Sequence, residues 1–405
     1  MRGTDEAAPA RPLARRLDQG GLDWPSLRMG LRDDALGDVV GASLLLTGLD
    51  AAQREAVLAL AVAGVSRTGA RDAVLLGGSV ERLREFGAEC IERTLLVDVG
   101  VAVGRVLEQG APAPLILRGR VLDFAERTQV MGVLNVTPDS FSDGGAHATT
   151  AQAVAHALRL IDEGADLLDI GGESTRPGAA PVGLDEELGR VIPVIEALRA
   201  QSAIPISIDT TKAEVARAAL AAGADLVNDV SGFTFDPAIA GVTAAAGAAA
   251  CVQHIQGAPQ TMQADPRYRD VVAEVMWGLE EALVRALAAG LPRERVLVDP
   301  GIGFGKTAAH NLMLLRRLGD LRQLGAPILI GTSRKAFLGQ LAGGLAPDQR
   351  GAPSLGSIAA AVMTGGVDMV RVHDVEASRR ALAVADAVAR ACGGGSAFTP
   401  PSSVG

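Results

Sequence analysis

Apolar and polar positions repeat along most of this chain in one order. From about residue 129 to residue 373, eight short apolar runs each precede a stretch with helical periodicity. They fall near 130–136, 167–170, 204–209, 225–230, 249–254, 295–299, 327–332 and 368–373. Short runs of this kind read as strands buried on both faces, and strand–helix alternation at a spacing of roughly 20–45 residues builds a parallel sheet. Nearly every run ends on a polar side chain: Asn135, Asp169, Asp209, Asn228-Asp229, His254, Asp299, Ser333 and Arg371-Val372-His373. A polar group closing a buried strand costs stability unless the strand ends converge on a ligand, as on the C-terminal face of a (β/α)8 barrel. The predicted fold is therefore α/β, a TIM barrel over residues 113–392 preceded by a small α/β extension.

The extension spans residues 23–112. Ala42–Leu46 and Ala73–Leu76 read as short buried strands, while residues 50–65 and 79–92 read as amphipathic helices capped by Asp50 and Ser79. Residues 94–109 are a candidate third helix. Gly77-Gly78-Ser79, between a strand and a helix, offers an anion site or a plain turn. Residues 114–127 alternate around Arg118-Gly119-Arg120, predicting a hairpin that plugs the bottom of the barrel. Residues 1–22 are expected to be a flexible tail, and the Gly/Ser/Pro-rich residues 393–405 a disordered one.

Composition removes whole classes of function. A net charge of −9 argues against a nucleic-acid groove or an anionic membrane surface. The arginines near the N-terminus have no apolar segment behind them, so no secretory signal is expected. The most apolar stretch, Ala238–Val252, falls short of the roughly 18–20 residues of a membrane span. Cys90, Cys251 and Cys392 are distant and odd in number, which fits reduced thiols in a cytoplasmic protein. Of 38 basic residues only Lys212, Lys306 and Lys335 are lysines, so each is a candidate for a role that needs a compact ammonium.

Two loops carry the densest chemistry. The first run opens into NVTPDSFSDGG, residues 135–145, with the carboxylates Asp139 and Asp143, the hydroxyl of Ser140, and Phe141. Asn135 at its base is a hard oxygen donor suited to Mg²⁺ beside a phosphate. The second run opens into GGESTRPG, residues 171–178, where Ser174, Thr175 and Arg176 can donate to an anion and Pro177 follows. DPGIGFGKT, at 299–307, looks like a phosphate loop, but Pro300 stands where its first glycine belongs, so no ATP site is read there.

With SIDTTK (207–212), VNDVSG (227–232), HIQGAPQTMQ (254–263), DPGIGFGK (299–306), SRK (333–335) and RVHD (371–374), these loops resemble the dihydropteroate synthase family in order and spacing over roughly residues 114–392. The resemblance implies a transferase of folate biosynthesis. It would join (7,8-dihydropterin-6-yl)methyl diphosphate to 4-aminobenzoate with Mg²⁺, act as a homodimer, and be a target of sulfonamides. By the same resemblance Asp209, Asn228 and Asp299 hold the pterin edges, Lys335 its carbonyl or ring nitrogen, and Thr175, Arg371 and His373 complete the pterin diphosphate site. Phe141, Arg176, Pro177, Phe304 and Arg334 would face 4-aminobenzoate. Asp139, Ser140, Asp143 and Ser174 belong to the catalytic loops, and Asn135 is the metal ligand. The chemistry agrees: a pterin presents two adjacent donors, which a carboxylate accepts bidentately.

The chain departs from the family pattern at Ala336, where many members have Ser, and at Gln253, where Met is expected. The rival readings are a corrinoid-type pterin-dependent methyltransferase, which would lack the first loop and SRK, and a non-catalytic pterin-binding paralogue, which would have damaged loops. Lys212 and Lys306 divide evenly between site residues and ion-pair partners. His254 has a place in the pattern without a chemical role.

Overall fold

The computed structural model describes residues 13–16, 42–70, 73–107, 112–137, 146–174, 178 and 181–391. The chain divides into two compact units, Met1–Gly110 and Ala111–Gly405.

In the first unit, strands β1 (Leu13–Arg16), β2 (Ala42–Thr47), β3 (Ser66–Ala70) and β4 (Ala73–Gly78) form an antiparallel sheet in the order β1-β2-β4-β3. Helices α1 (Ala51–Ala59), α2 (Val80–Ile91) and α3 (Val97–Leu107) supply the rest of its core: Val57, Leu83, Phe86, Val99 and Val103 pack with Leu44, Leu46, Val74 and Leu76. Two expectations need correction. Leu13–Arg16, assigned to the tail, is a strand paired with β2. The helix expected over residues 50–65 stops at Ala59, and the chain turns through Gly64 into β3. Ser79 spends its side chain as the cap of α2, accepting from the Arg82 N–H, and a Cβ on Gly78 would meet the Gly64 carbonyl at 2.7 Å. The Gly-Gly-Ser turn is thus a packing device.

The second unit opens with a hairpin, β5 (Leu115–Leu117) and β6 (Arg120–Leu122), turned by two left-handed residues, Arg118 and Gly119. The eight parallel strands follow: β7 (Gln129–Asn135), β8 (Leu167–Gly171), β9 (Ile206–Asp209), β10 (Leu226–Asp229), β11 (Ala249–Gln253), β12 (Val296–Asp299), β13 (Leu329–Ile330) and β14 (Met369–Val372). Their order is β12-β11-β10-β9-β8-β7-β14-β13. A parallel bridge, Val298 to Ile328, closes the two ends into a barrel. The helices between and after them are α4 (Ala146–Asp162), α5 (Leu184–Arg199), α6 (Ala213–Ala222), α7 (Ala238–Ala245), α8 (Val271–Ala288), α9 (Ala308–Arg316), the pair α10 (Ala336–Leu341) and α11 (Gly351–Val362), and α12 (Val375–Ala391). The predicted (β/α)8 barrel is present.

The floor is apolar. Leu115, Leu117, Leu122 and Phe124 pack into one cluster with Met131, Leu167, Leu226, Cys251, Leu297, Leu329 and Met369 from the strands. The hairpin plugs the bottom, as its alternation predicts. A sequence repeat frames this floor: Gly164-Ala165-Asp166, Gly223-Ala224-Asp225 and Gly366-Val367-Asp368 each precede a strand. Each aspartate accepts a backbone N–H from the neighbouring chain segment: Val130 at 2.9 Å, Ile206 at 3.0 Å and Ile328 at 2.7 Å. Each also binds arginine: Arg127 on Asp166, Arg199 on Asp225, and Arg322 on Asp368.

Candidate active site

At the other end of the strands the same inward positions turn polar. Asp169 on β8, Asp209 on β9, Asn228 on β10 and Asp299 on β12 are all buried. Arg371 on β14 reaches across β7 to join the first two, its Nε donating to Asp169 Oδ2 at 2.6 Å and its Nη2 to Asp209 Oδ2 at 2.7 Å. Asn228 Nδ2 donates to the same Asp169 oxygen at 3.0 Å. Asp169 is thus the hub that aims both Arg371 and Asn228.

One guanidinium serves two buried carboxylates, and the consequence is electrostatic. Burial lowers the affinity of Arg371 for its proton, but Asp169 and Asp209 outweigh it and hold the group above its ordinary value. Burial pushes Asp209 up to about 7, with Arg371 opposing and Asp169 adding to the rise. One cation is shared between two buried carboxylates: Arg371 stays charged, and Asp209 keeps a proton above the ordinary carboxylate range. Burial also pushes Asp299 up to about 6, against the Gly301 N–H, which donates at 2.6 Å, and the Lys335 ammonium.

The loop after β12 lies over this layer. Lys335 is the N-cap residue of α10, and its Nζ sits 4.2 Å from the centroid of the Phe304 ring. Phe304 packs with Val230 and Met262. Lys306 is 3% exposed, and its ammonium contacts the Phe304 carbonyl at 3.0 Å and His254 Nδ1 at 3.0 Å. Burial lowers Lys306 to about 7, with Asp299 opposing. The lysine of the Walker-like sequence is thus turned inward, toward His254 and the Phe304 carbonyl.

Lys212 resolves as an ion-pair partner. Its ammonium contacts Glu173 and the fully buried Glu187, both at 2.5 Å, while Thr210 Oγ1 donates to Glu187 at 2.7 Å. Glu173 also accepts the Val182 N–H at 3.1 Å, and Arg190 donates to the Gly172 carbonyl at 2.6 Å. The base of the GGESTRPG loop is therefore fastened on both sides.

A family model, Pterin binding enzyme, matches residues 131–373. The chain belongs to this family. It is 48% identical over 279 residues to a dihydropteroate synthase of Synechocystis, covering 69% of this chain and 96% of that one. An Escherichia coli dihydropteroate synthase is 45% identical over 273 residues, covering 67% and 95%. Among solved structures, a Xanthomonas albilineans dihydropteroate synthase with 4-aminobenzoic acid superposes with a TM-score of 0.64 at 50% identity, covering 68% of this chain and 98% of that chain. The same enzyme in complex with 7,8-dihydropteroate gives 0.61 at 48% identity over 68% and 98%. A Yersinia pestis dihydropteroate synthase with a sulfonamide gives 0.64 at 44% identity over 68% and 98%. The family match lies wholly within the second unit.

Within the pterin-binding barrel, the predicted residues fall into three groups. Asp209, Asn228, Asp299, Lys335, Arg371 and His373 stand at strand ends or just beyond them, with Asn135 half-buried at the end of β7. His373 Nδ1 lies 3.0 Å from the hydroxyl of Ser333. Two residues expected to face aminobenzoate have other neighbours. Phe304 lies under Lys335, and Arg334, in left-handed backbone at φ 59°, donates to Asp374 at 2.7 Å. Asp139, Ser140, Phe141, Asp143, Thr175, Arg176 and Pro177 lie outside the described residues, while Ser174 is half-buried. Reading strand ends one by one missed Asp169 as the hub and Glu173–Lys212–Glu187 as a fastening. A carboxylate and a lysine inside matched motifs were the only signals for them.

Asn135 fits a magnesium role by donor type. Among the described residues no group of three or more His, Cys, Asp or Glu could hold a metal. A single protein oxygen supplemented by phosphate oxygens and water is a common magnesium arrangement.

Proposed function

We propose that the upper face of the barrel carries out the dihydropteroate synthase reaction through the residues assigned here. The enzyme joins (7,8-dihydropterin-6-yl)methyl diphosphate to 4-aminobenzoate, forming 7,8-dihydropteroate and pyrophosphate. The observation that carries these assignments is the shortage of donors around Asp209, Asp299 and Asp169. Asp169 Oδ1 is buried with no partner among the described residues. A buried carboxylate short of donors is matched by a ligand edge that supplies them.

In this reading Asp209 and Asp299 accept from the donor edges of the pterin, Asn228 bonds beside them, and Lys335 donates to its carbonyl or ring nitrogen. Arg371 offsets the charge of Asp169 and Asp209 beneath the departing diphosphate, and His373, steadied by Ser333, donates to that group. Magnesium bound at Asn135 would supply Lewis-acid stabilisation of diphosphate oxygens. The C–O bond to the pterin methylene breaks with its electron pair leaving on diphosphate. The electron-rich dihydropterin shares the positive charge, and the aniline nitrogen then forms the C–N bond and loses a proton. That nitrogen is unprotonated at neutral pH, so no dedicated base is required. The site's work is charge stabilisation and exclusion of water.

A cytoplasmic setting and a homodimer belong to the same proposal. Among the described residues no helix is long and apolar enough to cross a membrane. The exposed Leu312 and Leu341 border an apolar groove between α9, α10 and α11 that two copies could share.

The test is a coupled assay of pyrophosphate release with and without 4-aminobenzoate on the full chain. Release should depend on aminobenzoate, and its absence would sink the assignment. Lys335→Arg keeps the charge but replaces a compact donor over an aromatic face with a planar fork. It should cost roughly 10- to 100-fold in kcat/KM; near-normal turnover would show that any cation serves.

A further inference from the structure

We propose that Lys306 is a positioning residue for the pterin site: it pins the loop after β12 to the end of β11, and so holds Phe304 beneath Lys335. The inference rests on the assignment of Lys335 to pterin, but its first test needs no turnover.

Lys306 is an unusual lysine. It is buried, yet among the described residues no carboxylate lies within ion-pair distance of its ammonium. It faces the Phe304 carbonyl at 3.0 Å, His254 Nδ1 at 3.0 Å and the His254 carbonyl at 3.4 Å. An ammonium has three donors, and here are three acceptors set around one point. The arrangement ties residue 304 to residue 254 through one atom. With Lys306 donating to Nδ1, His254 carries its own proton on Nε2. This gives His254 the role that its sequence position left open: it is the anvil on which the loop is fixed.

The surrounding packing shows that this contact is built. A Cβ on Gly301 would lie 1.9 Å from the His254 carbonyl oxygen, and one on Gly305 would lie 2.5 Å from that of Gln256. Both glycines also have left-handed backbone, at φ 66° and 63°. The loop thus lies flat on residues 254–256. Tyr268 OH donates to the Gly305 carbonyl at 2.9 Å, and Gln263 Nε2 to the Gly303 carbonyl at 2.5 Å. Gly278 on α8 leaves room for the His254 ring, which a Cβ there would meet at 2.7 Å. Arginine, which this chain uses for all but three of its 38 basic residues, could not replace Lys306. Its planar fork cannot converge on three acceptors around one nitrogen.

The output of this pin is the Phe304 ring, 4.2 Å below the Lys335 ammonium. If Lys306 merely filled space, an apolar chain of equal length would leave Lys335 where it is. With only three lysines in the chain, labelling lysine with ¹³C at Cε gives a three-signal spectrum. The Lys335 signal should be displaced upfield by the Phe304 ring, and Phe304→Leu should abolish that displacement. Lys306→Met should delete one signal and move the Lys335 signal at least halfway to its Phe304→Leu position. An unmoved Lys335 signal in folded Lys306→Met overturns the inference. If Lys306→Met does not fold, Lys306→Arg keeps the charge but cannot converge on the three acceptors. It should move the Lys335 signal in the same direction, and no movement would again overturn the inference.

A kinetic cycle supplies the second readout. Lys306→Met and Phe304→Leu should each lower kcat/KM for the pterin diphosphate about tenfold, and the double variant should be no worse than the worse single one. Additive losses, about a hundredfold, would show that Lys306 does not act through Phe304.

Discussion

The floor and the upper face of the barrel are made by the same strands and both contain buried carboxylates, yet the acids behave in opposite ways. On the floor Asp166 takes two bonds from Arg127, at 2.8 and 2.7 Å, one from Arg120 at 3.1 Å and one from the Val130 N–H at 2.9 Å. Burial alone would raise its pKa, but these donors win and hold it below the usual carboxylate range. On the upper face one arginine is divided between Asp169 and Asp209, and burial wins: Asp209 rises to about 7. Supply of donors, more than depth, separates the two. A carboxylate with every lone pair engaged is a fastener. One with acceptor capacity in reserve is available to a substrate, and it holds that reserve at the expense of stability.

The largest effect should come from removing the shared cation. Arg371→Met leaves Asp169 and Asp209 buried beside each other without compensation. Stability should fall by about 3–5 kcal/mol at neutral pH, read by denaturant unfolding. Aminobenzoate-dependent pyrophosphate release should drop by roughly a thousandfold. If unfolding is unchanged, Arg371 is not the compensating charge and the contrast with the floor collapses. Asp166→Asn is the matching change below. It removes the negative partner of Arg127 and Arg120 and weakens the acceptor for Val130. Because both arginines are partly exposed, the loss should be smaller, about 1–3 kcal/mol. Turnover per folded molecule should stay within about twofold. A large fall in kcat/KM at intact stability would mean that floor and upper face are not separable.

The sequence carried the two ends unequally. The eight strand runs and the hairpin were legible because burial on both faces leaves few polar positions in a strand before its C-terminal end, and because alternation around Arg118-Gly119 fits a turn. Strand ends Asp209, Asn228 and Asp299 were legible for the converse reason, as polar groups where stability alone would place none. Strand β3, Ser66–Ala70, was not, since Ser-Arg-Thr-Gly-Ala has neither apolar alternation nor β-branched density and took its place from pairing with β4. Leu13–Arg16 likewise owes its strand to β2. In the site, Asp169 was visible as a strand end but its role was not, because being a hub depends on Arg371, which lies 202 positions away. His254 and Lys306 were each conspicuous and jointly unreadable until the loop after β12 brought them to 3.0 Å. The Gly-x-Asp repeat was present in the letters throughout. Its meaning, an N–H acceptor plus an arginine site below a strand, needs the register of the preceding strand.

The smallest expected effect tests the comparison through pH. For Asp166 the folded pKa is depressed, so its stabilisation is full above the ordinary carboxylate range, about 3.9, and is lost only as pH falls below that. For Asp209 and Asp299, raised to about 7 and about 6, the sign reverses. The folded state binds their protons more tightly than the unfolded chain does, so stability rises as pH falls from about 7 toward about 4, then levels off. The two ends therefore act in different windows. Lys306, lowered to about 7, acts with the opposite sign, so the readout is a difference: the melting temperature of the ligand-free chain minus that of Asp209→Asn should climb modestly between pH 8 and pH 5, while the acid limb that Asp166 controls stays the same in both. Activity should run the other way. A protonated Asp209 accepts less well from the pterin edge, so kcat/KM for the pterin diphosphate should fall as pH drops below about 7 in the unmodified chain. That melting difference and turnover moving in the same direction across the window would mean that the acceptor reserve on the upper face is not what the substrate uses.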